Sequence, residues 1–174
     1  MTPSIVAGGI YYDAWVSKPE RLVYELVSDG VKVNPKSAAA NFSSIVAARD
    51  GTVSFEGPDG AAFTIKPKIV INAAGPWIDH VNAALGKETK MIGGTKGSHI
   101  LVDHPELVKS LKGRMIYFEA DDGRICLVYD YHGLAPVGST VIPANNPDEA
   151  FAEDMEIDYL IESLSSLLPK LKFD

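Results

Sequence analysis

Several features that mark common functional classes are missing from this sequence. The only cysteine, Cys126, cannot form a disulfide within the chain, and its apolar surroundings predict a buried core residue rather than a nucleophile. No set of His, Cys, Asp and Glu residues has the spacing of metal ligands, so we expect no metal site. The 15 glycines include no Gly-x-Gly-x-x-Gly, the turn that clamps the pyrophosphate of a dinucleotide. Disulfide-rich scaffolds, zinc modules and complete dinucleotide-binding halves are thereby excluded.

Basic charge and long apolar runs are also scarce. Asp and Glu number 23 against 16 Lys and Arg, and the net charge of −7 argues against a nucleic-acid partner. No apolar run approaches the roughly 20 residues of a membrane-spanning helix, and no signal peptide opens the chain. A hydrophobic content of 46% in 174 residues suits one globular domain or two small lobes. We therefore expect a cytoplasmic protein.

The most informative segment is Ile69–Trp77, with the sequence IVINAAGPW. Its continuous β-branched run predicts a strand over Ile69–Asn72 that is covered on both faces, as in a parallel sheet. The small residues Ala73 to Gly75 would let a ligand approach the backbone, and Pro76 favours a helix that ends near Gly86. This geometry is typical of phosphate or dinucleotide sites, although ordinary strand-to-helix packing fits the pattern too.

The N-terminal half otherwise reads as one helix and several short strands. Ile10–Tyr12 has strand character, and Ser17–Glu20 has the form of a capping box before a helix that Gly30 would end. Alternation in Val53–Phe55 and Phe63–Ile65 predicts a hairpin with one wet face.

The C-terminal half has three strand candidates and a helix. The strands are Ser98–Val102, Met115–Glu119 and Ile125–Tyr129, with a turn at Asp121-Asp122-Gly123 between the last two. An apolar stripe at helical spacing predicts a last helix that begins near Glu153.

Two motifs in this order carry a family resemblance. IVINAAGPW followed by Gly94–Ile100, GTKGSHI, resembles the flavin-dependent glycerol-3-phosphate dehydrogenases, within the D-amino-acid-oxidase-like flavoproteins. Weaker matches lie at Tyr11–Asp13, Asp121–Ile125 and Val137–Thr140, so the resemblance extends from about residue 8 to about residue 168. The first motif is shared across the superfamily, whereas Lys-Gly-Ser-His-Ile points to the glycerol-3-phosphate branch.

The resemblance implies an α+β fold made of parts of two domains. Residues 18–89 would be a partial FAD-binding domain of α/β type that lacks the glycine-rich half. Residues 1–17 and 90–174 would form a substrate-binding domain on a mostly antiparallel sheet, although one α+β unit is an alternative arrangement. The family's glycine-rich turn and a later Val-Arg-Pro-Leu stretch are both missing, so we expect an internal fragment that is inactive alone.

The implied reaction is oxidation of sn-glycerol 3-phosphate to dihydroxyacetone phosphate. FAD would take up the electrons and pass them to a quinone, with the parent enzyme peripheral on the inner face of the cytoplasmic membrane. An amine or amino-acid oxidase of the same superfamily is one alternative. A small-molecule-binding domain without redox chemistry is another.

The resemblance also assigns site residues. His99 would accept the hydroxyl proton, because a neutral imidazole is a suitable base near pH 7. Lys96 and Arg124 are candidates for binding the substrate phosphate, or else solvated surface cations. Ser98 and Thr140 would bond substrate oxygens, and we expect Lys96, His99 and Thr140 to converge on one side of the sheet. The residues expected beside the flavin are Ala73, Ala74, Gly75, Pro76 and Trp77.

Two departures from the family pattern bear on the substrate. Val141 replaces an aspartate of the Gly-Thr-Thr-Asp motif, and Val128–Tyr131 replaces an Ile-Pro-Trp type of segment. Substrate specificity can therefore differ from that of the family.

We expect the chain purified alone to contain no stoichiometric FAD. The glycine-rich turn normally supplies most contacts to the pyrophosphate, and this sequence has none. Flavin absorbance of the purified chain, compared with its protein concentration, measures the occupancy. About one equivalent of flavin would contradict the expectation.

Overall fold

The computed structural model describes residues 5–173, which form an α+β structure, as predicted. The helices are α1 (Pro19–Val33), α2 (Ile78–Ala84), α3 (Pro105–Leu111) and α4 (Asp154–Leu167). The strands are β1 (Ser44–Arg49), β2 (Thr52–Glu56), β3 (Ala62–Ile65), β4 (Thr95–Lys96), β5 (His99–Val102), β6 (Ile116–Glu119), β7 (Ile125–Val128), β8 (Ala135–Gly138) and β9 (Ile142–Pro143). No helix among these residues is both long and apolar enough to cross a membrane.

The chain divides into two units. Residues 9–92 form one, here called the hairpin unit, and residues 93–173 with residues 5–8 form the other, here called the sheet unit. Assignment of residues 18–89 to a flavin domain, and of residues 1–17 and 90–174 to a substrate domain, stays a prediction.

The hairpin unit is built on a three-stranded antiparallel sheet in the order β1-β2-β3. Asp50 and Gly51 make the β1–β2 turn with φ of 50° and 75°, a left-handed geometry that suits a tight hairpin. Phe55 and Phe63 are direct partners across β2 and β3, and their rings stack with centroids 4.9 Å apart. The predicted hairpin is confirmed, but all four residues of β3 are exposed, so the expected division into one dry and one wet face is not seen in that strand.

Four predictions for this unit are wrong. Ile69–Asn72 forms no strand, because none of the described residues pairs with it, and Ile69 and Ile71 are exposed. Ile10–Tyr12 likewise has no strand partner and is exposed. The expected capping box is not formed: Lys18 occupies the N-cap without a side-chain hydrogen bond. Helix α1 also continues past Gly30 to its end at Val33.

The sheet unit contains a four-stranded antiparallel sheet in the order β5-β8-β7-β6, together with the short pair β4-β9. The predicted strands near residues 98–102, 115–119 and 125–129 are confirmed as β5, β6 and β7. Every strand pair in the described part of the unit is antiparallel, as the resemblance implied.

The two faces of the four-stranded sheet differ sharply. One face is buried against α3 and α4, and Cys126, Val128 and Val137 are fully covered there. The opposite face, here called the open face, carries His99 and Leu101 of β5 and Tyr117 of β6, which are all exposed. Because strand side chains alternate between faces, β5 divides its residues between core and surface.

Helix α4 supplies most of the helical contribution to this core. It begins after Glu153, as predicted, and buries Leu160, Leu164 and Leu167. Helix α3 was not predicted, although Pro105 at its first turn and the spacing of Leu107 and Leu111 were available signals. Its N-cap is His104, whose Nδ1 accepts the Leu107 N–H at 3.1 Å.

Replacement of Leu160 by alanine should destabilise the sheet unit strongly. The side chain is fully buried, and truncation of such a leucine costs about 2–5 kcal/mol through lost burial and the cavity left behind. Leu101→Ala on the open face is the matched control and should cost much less, because Leu101 is 61% exposed. Urea unfolding of the two variants provides the measurement. Equal losses would contradict the assignment of the two faces.

Candidate functional site

The small-residue turn of the hairpin unit lies at its surface. Ala73, Gly75, Pro76 and Trp77 are exposed, and Ala74 is partly buried. Gly75 has φ of 55°, a left-handed conformation, and no atom lies within 4 Å of where its Cβ would be. The turn borders a cleft of about 470 Å³ whose lining includes Phe55, Asn72, Ala73, Ala74, Trp77 and His80. A ligand can reach the backbone of this turn.

Asn72 holds the turn in place. Its side-chain oxygen accepts the Ala74 N–H at 3.1 Å, and its amide donates to the Ile78 carbonyl at 2.9 Å and to Asn82 Oδ1 at 2.7 Å. The segment is therefore fixed to α2 by side-chain hydrogen bonds, which stand in for the predicted strand pairing.

Asp79 fastens the next loop to the same helix. Its carboxylate accepts the Thr89 hydroxyl at 2.6 Å and the backbone N–H groups of Met91 and Ile92 at 2.9 and 3.1 Å. The hydrogen bond from Thr89, followed by those from the two backbone groups, lowers the pKa of Asp79.

His99 lies at the first position of β5, on the open face of the sheet unit. Its side chain is exposed, and its direct partner on β8 is Gly138. The imidazole is therefore accessible to a substrate, a geometric requirement for the predicted base. The catalytic role of His99 stays a prediction.

The Lys96 ammonium is enclosed by acceptors. It donates to the Phe151 carbonyl at 2.6 Å and to the carboxylates of Glu153 and Glu156, each at 2.9 Å. The side chain is 11% exposed. Because an ammonium has only three donors, phosphate binding would require Lys96 to exchange one of these partners.

Thr140 connects Ser98, the residue before β5, to the same cluster. Its hydroxyl accepts the Ser98 N–H at 2.8 Å and donates to Glu156 Oε1 at 2.5 Å. The residue is 2% exposed. Lys96, Ser98 and Thr140 are thus brought together around Glu156 in the interior, and they do not share a substrate-facing surface with His99.

Glu156 is a buried carboxylate that remains ionised. Burial raises its pKa, but hydrogen bonds from Thr140, the Glu153 backbone, Lys96 and Ser98 outweigh that effect and lower the pKa to about 2. A buried charge is tolerated only when it is paired and hydrogen-bonded, and both conditions are met here.

Arg124 lies in a second cluster of the sheet unit. Its Nε donates to Asp122 at 2.6 Å, and the guanidinium lies 4.1 Å from the Tyr159 ring centroid. The Tyr159 hydroxyl donates to Asp122 at 3.0 Å. The hydrogen bond to Asp122 raises the pKa of Arg124, whose side chain is 38% exposed. Its predicted role in phosphate binding stays a prediction.

Sequence reasoning missed Glu156 and Gly138. The available signal for Glu156 was its position four residues before Leu160, which places an acid on the apolar stripe of α4. Such a residue requires a buried partner. Gly138 occurs in the Val137–Thr140 match, but the sequence does not reveal what its missing side chain accommodates. Among residues 5–173, no group of His, Cys, Asp and Glu could hold a metal ion.

Comparison with known proteins identifies the family of this chain. The model of the family described as "FAD dependent oxidoreductase" matches residues 1–174. The chain therefore belongs to the FAD-dependent oxidoreductase family of the D-amino-acid-oxidase type.

Proteins named aerobic glycerol-3-phosphate dehydrogenase are among its relatives. The chain is 36% identical over 110 residues to that of Staphylococcus saprophyticus, an alignment covering 62% of this chain and 19% of the relative. It is 28% identical over 170 residues to that of Staphylococcus epidermidis, which covers 93% of this chain and 30% of the relative. The chain thus spans less than a third of these proteins.

A solved structure shows the same fold. The glycerol-3-phosphate dehydrogenase of Bacillus halodurans, complexed with FAD, matches with a TM-score of 0.73 at 23% identity. The match covers 88% of this chain and 32% of that protein.

The residues around Gly75 are compatible with part of a flavin site. Open space at Gly75 and the small side chains of Ala73 and Ala74 leave the backbone approachable. The glycine-rich pyrophosphate turn is absent from this sequence. These residues would line FAD without enclosing it.

Neutralisation of Glu156 should make the free energy of unfolding less dependent on pH below about pH 4.5. Its pKa is lowered from 4.5 to about 2 in the folded chain, so its contribution is complete above about pH 4.5 and is lost as pH falls towards 2. Glu156→Gln removes this titration, and the free energy of unfolding should then depend less on pH in that window. Chemical unfolding at several pH values measures the slope. The control is Glu162→Gln, an exposed site on the same helix, and an unchanged slope in Glu156→Gln would contradict the prediction.

Proposed function

We propose that the protein containing this region oxidises sn-glycerol 3-phosphate to dihydroxyacetone phosphate with FAD as its cofactor. The observation that carries the proposal is the exposed His99 on the open face, within a Lys-Gly-Ser-His-Ile motif. Membership of the FAD-dependent oxidoreductase family and the names of the relatives support it.

In this reaction His99 accepts the proton of the substrate hydroxyl. A neutral imidazole within hydrogen-bond distance, roughly 3 Å, of that hydroxyl can take the proton as the C–H bond breaks. When bound, FAD supplies the acceptor for the hydride from the same carbon. Ala73, Ala74, Gly75, Pro76 and Trp77 are the residues of this chain that would lie against FAD.

The substrate phosphate needs a cationic partner. The two candidates, Lys96 and Arg124, differ in how many of their N–H donors are not already used within the protein. All three donors of Lys96 have acceptors within the protein. Arg124 has five donors and uses Nε and Nη2 toward Asp122, while its side chain remains 38% exposed. Arg124 therefore has donors left for a phosphate, but it packs on Tyr159 of α4, the helix that covers the buried face, whereas His99 lies on the open face. Lys96, Ser98 and Thr140 would support the site from within.

The electron acceptor and the location complete the proposal. Reduced FAD would pass its electrons to a quinone, with the enzyme on the cytoplasmic side and peripheral to the inner face of the membrane. Support for both points comes from the sequence resemblance alone.

His99→Ala should lower kcat/KM for glycerol 3-phosphate by about 10²-fold or more in the full-length enzyme. This is the usual scale for losing a positioned acid–base group. Steady-state reduction of an artificial electron acceptor provides the measurement, and His132→Ala, an exposed histidine in a turn, is the control. Full activity of His99→Ala would refute the assigned role, and oxidation of an amine or amino acid instead of glycerol 3-phosphate would refute the proposed substrate.

A further inference from the structure

The imidazole of His99 occupies the space that a side chain at position 138 would need. A Cβ built on Gly138 would lie 2.1 Å from His99 Cδ2, 2.4 Å from Nε2 and 2.5 Å from Cγ. Real Cβ atoms essentially never come within 3.0 Å of another heavy atom in this way. The ring and a side chain at position 138 therefore exclude one another.

The constraint on position 138 that the contacts show is steric. Gly138 is not among the glycines with positive φ, and it lies in strand β8. The His99 ring is what a Cβ at this position would meet. Gly75 and Gly133 differ in this respect, because they have φ of 55° and 86° and open space around them.

The backbone that carries His99 is also held by β8 and by the segment that follows β8. The Thr140 hydroxyl accepts the Ser98 N–H at 2.8 Å, and His99 pairs directly with Gly138 in the sheet. Glu156 in turn fixes the Thr140 hydroxyl. With the backbone at Ser98 and His99 restrained, the remaining freedom of the imidazole is rotation of its own side chain.

We propose that Gly138 is a positioning residue for His99: its missing side chain provides the place against the sheet in which the imidazole is held. This inference rests on the proposed function insofar as it assigns a catalytic purpose to that position. A base already held in its reactive orientation loses little entropy in the reaction, and small misplacements of such a group are costly.

The consequence for catalysis can be separated from a structural defect by a double-mutant cycle. In the full-length enzyme, Gly138→Ala should lower kcat/KM by about 10²-fold. The loss should appear mainly in kcat, because a displaced imidazole no longer accepts the hydroxyl proton efficiently in the transition state. In the His99→Ala background the same substitution should cost almost nothing further, since the ring it collides with is gone. Gly93→Ala is the matched control, because no atom lies within 4 Å of its added Cβ and its φ is not positive.

A second measurement tests the placement independently of the reaction. In the 174-residue chain, the NMR resonances of the His99 ring protons should shift in Gly138→Ala and stay unchanged in Gly93→Ala. If His99→Ala proves fully active, the proposed function fails, while these resonances still decide whether Gly138 sets the ring position.

Three results would overturn the inference. The first is a Gly138→Ala variant with unchanged ring resonances. The second is an equal loss of activity from Gly138→Ala with and without His99. The third is a failure of Gly138→Ala to fold that persists in the double variant with His99→Ala, since the glycine would then serve the fold irrespective of the ring. Recovery of folding in the double variant supports the proposal.

Discussion

The arrangement of the sheet unit depends on one buried carboxylate. Glu156 lies on the apolar stripe of α4 at 1% exposure, where an ion without partners would be strongly unfavourable. Lys96, Thr140 and the Glu153 N–H satisfy it, and each comes from a different segment. One charge therefore ties the start of the helix to β4 and to the segment after β8. Removal of Lys96 would leave the buried carboxylate without its counter-charge, and removal of a neutral donor would leave it with one hydrogen bond fewer, which makes the set interdependent.

The ion pair with Glu156 explains why Lys96, although it belongs to the Lys-Gly-Ser-His-Ile motif, points into the interior. The Lys96 side chain reaches the start of α4, whereas His99, three residues later, faces the open side of the sheet. The segment between them crosses from the β4–β9 pair to the four-stranded sheet. The motif thus contains a largely buried lysine that forms an internal ion pair and an exposed histidine whose imidazole is accessible.

The sequence predicted elements whose causes are local. The turn at Asp121-Asp122-Gly123 and the apolar stripe that follows Glu153 are determined by nearby residues, and both were found where expected. The strand expected at Ile69–Asn72 failed because β-propensity needs a neighbouring strand, and none of the described residues supplies one. A pattern read along the chain does not contain that information.

The candidate site shows the same division. His99 could be identified from its motif, and its exposure on β5 suits the assigned role. The contact between Lys96 and Glu156 joins residues 60 positions apart, and no local pattern specifies such a pairing. The motif and the positive charge of Lys96 therefore indicated a role in binding, but they did not indicate its partner Glu156. The contact of the His99 ring with Gly138 depends on strand register, which is likewise fixed only by the complete sheet.

The single cysteine has a practical consequence. Cys126 lies at the centre of the buried face with no exposed surface, and burial raises the pKa of its thiol. Since alkylating reagents attack the thiolate, the folded sheet unit protects this group both sterically and electronically. Modification must wait until the strands separate from α4. The rate at which an alkylating reagent labels Cys126 therefore measures how often the core of the sheet unit opens.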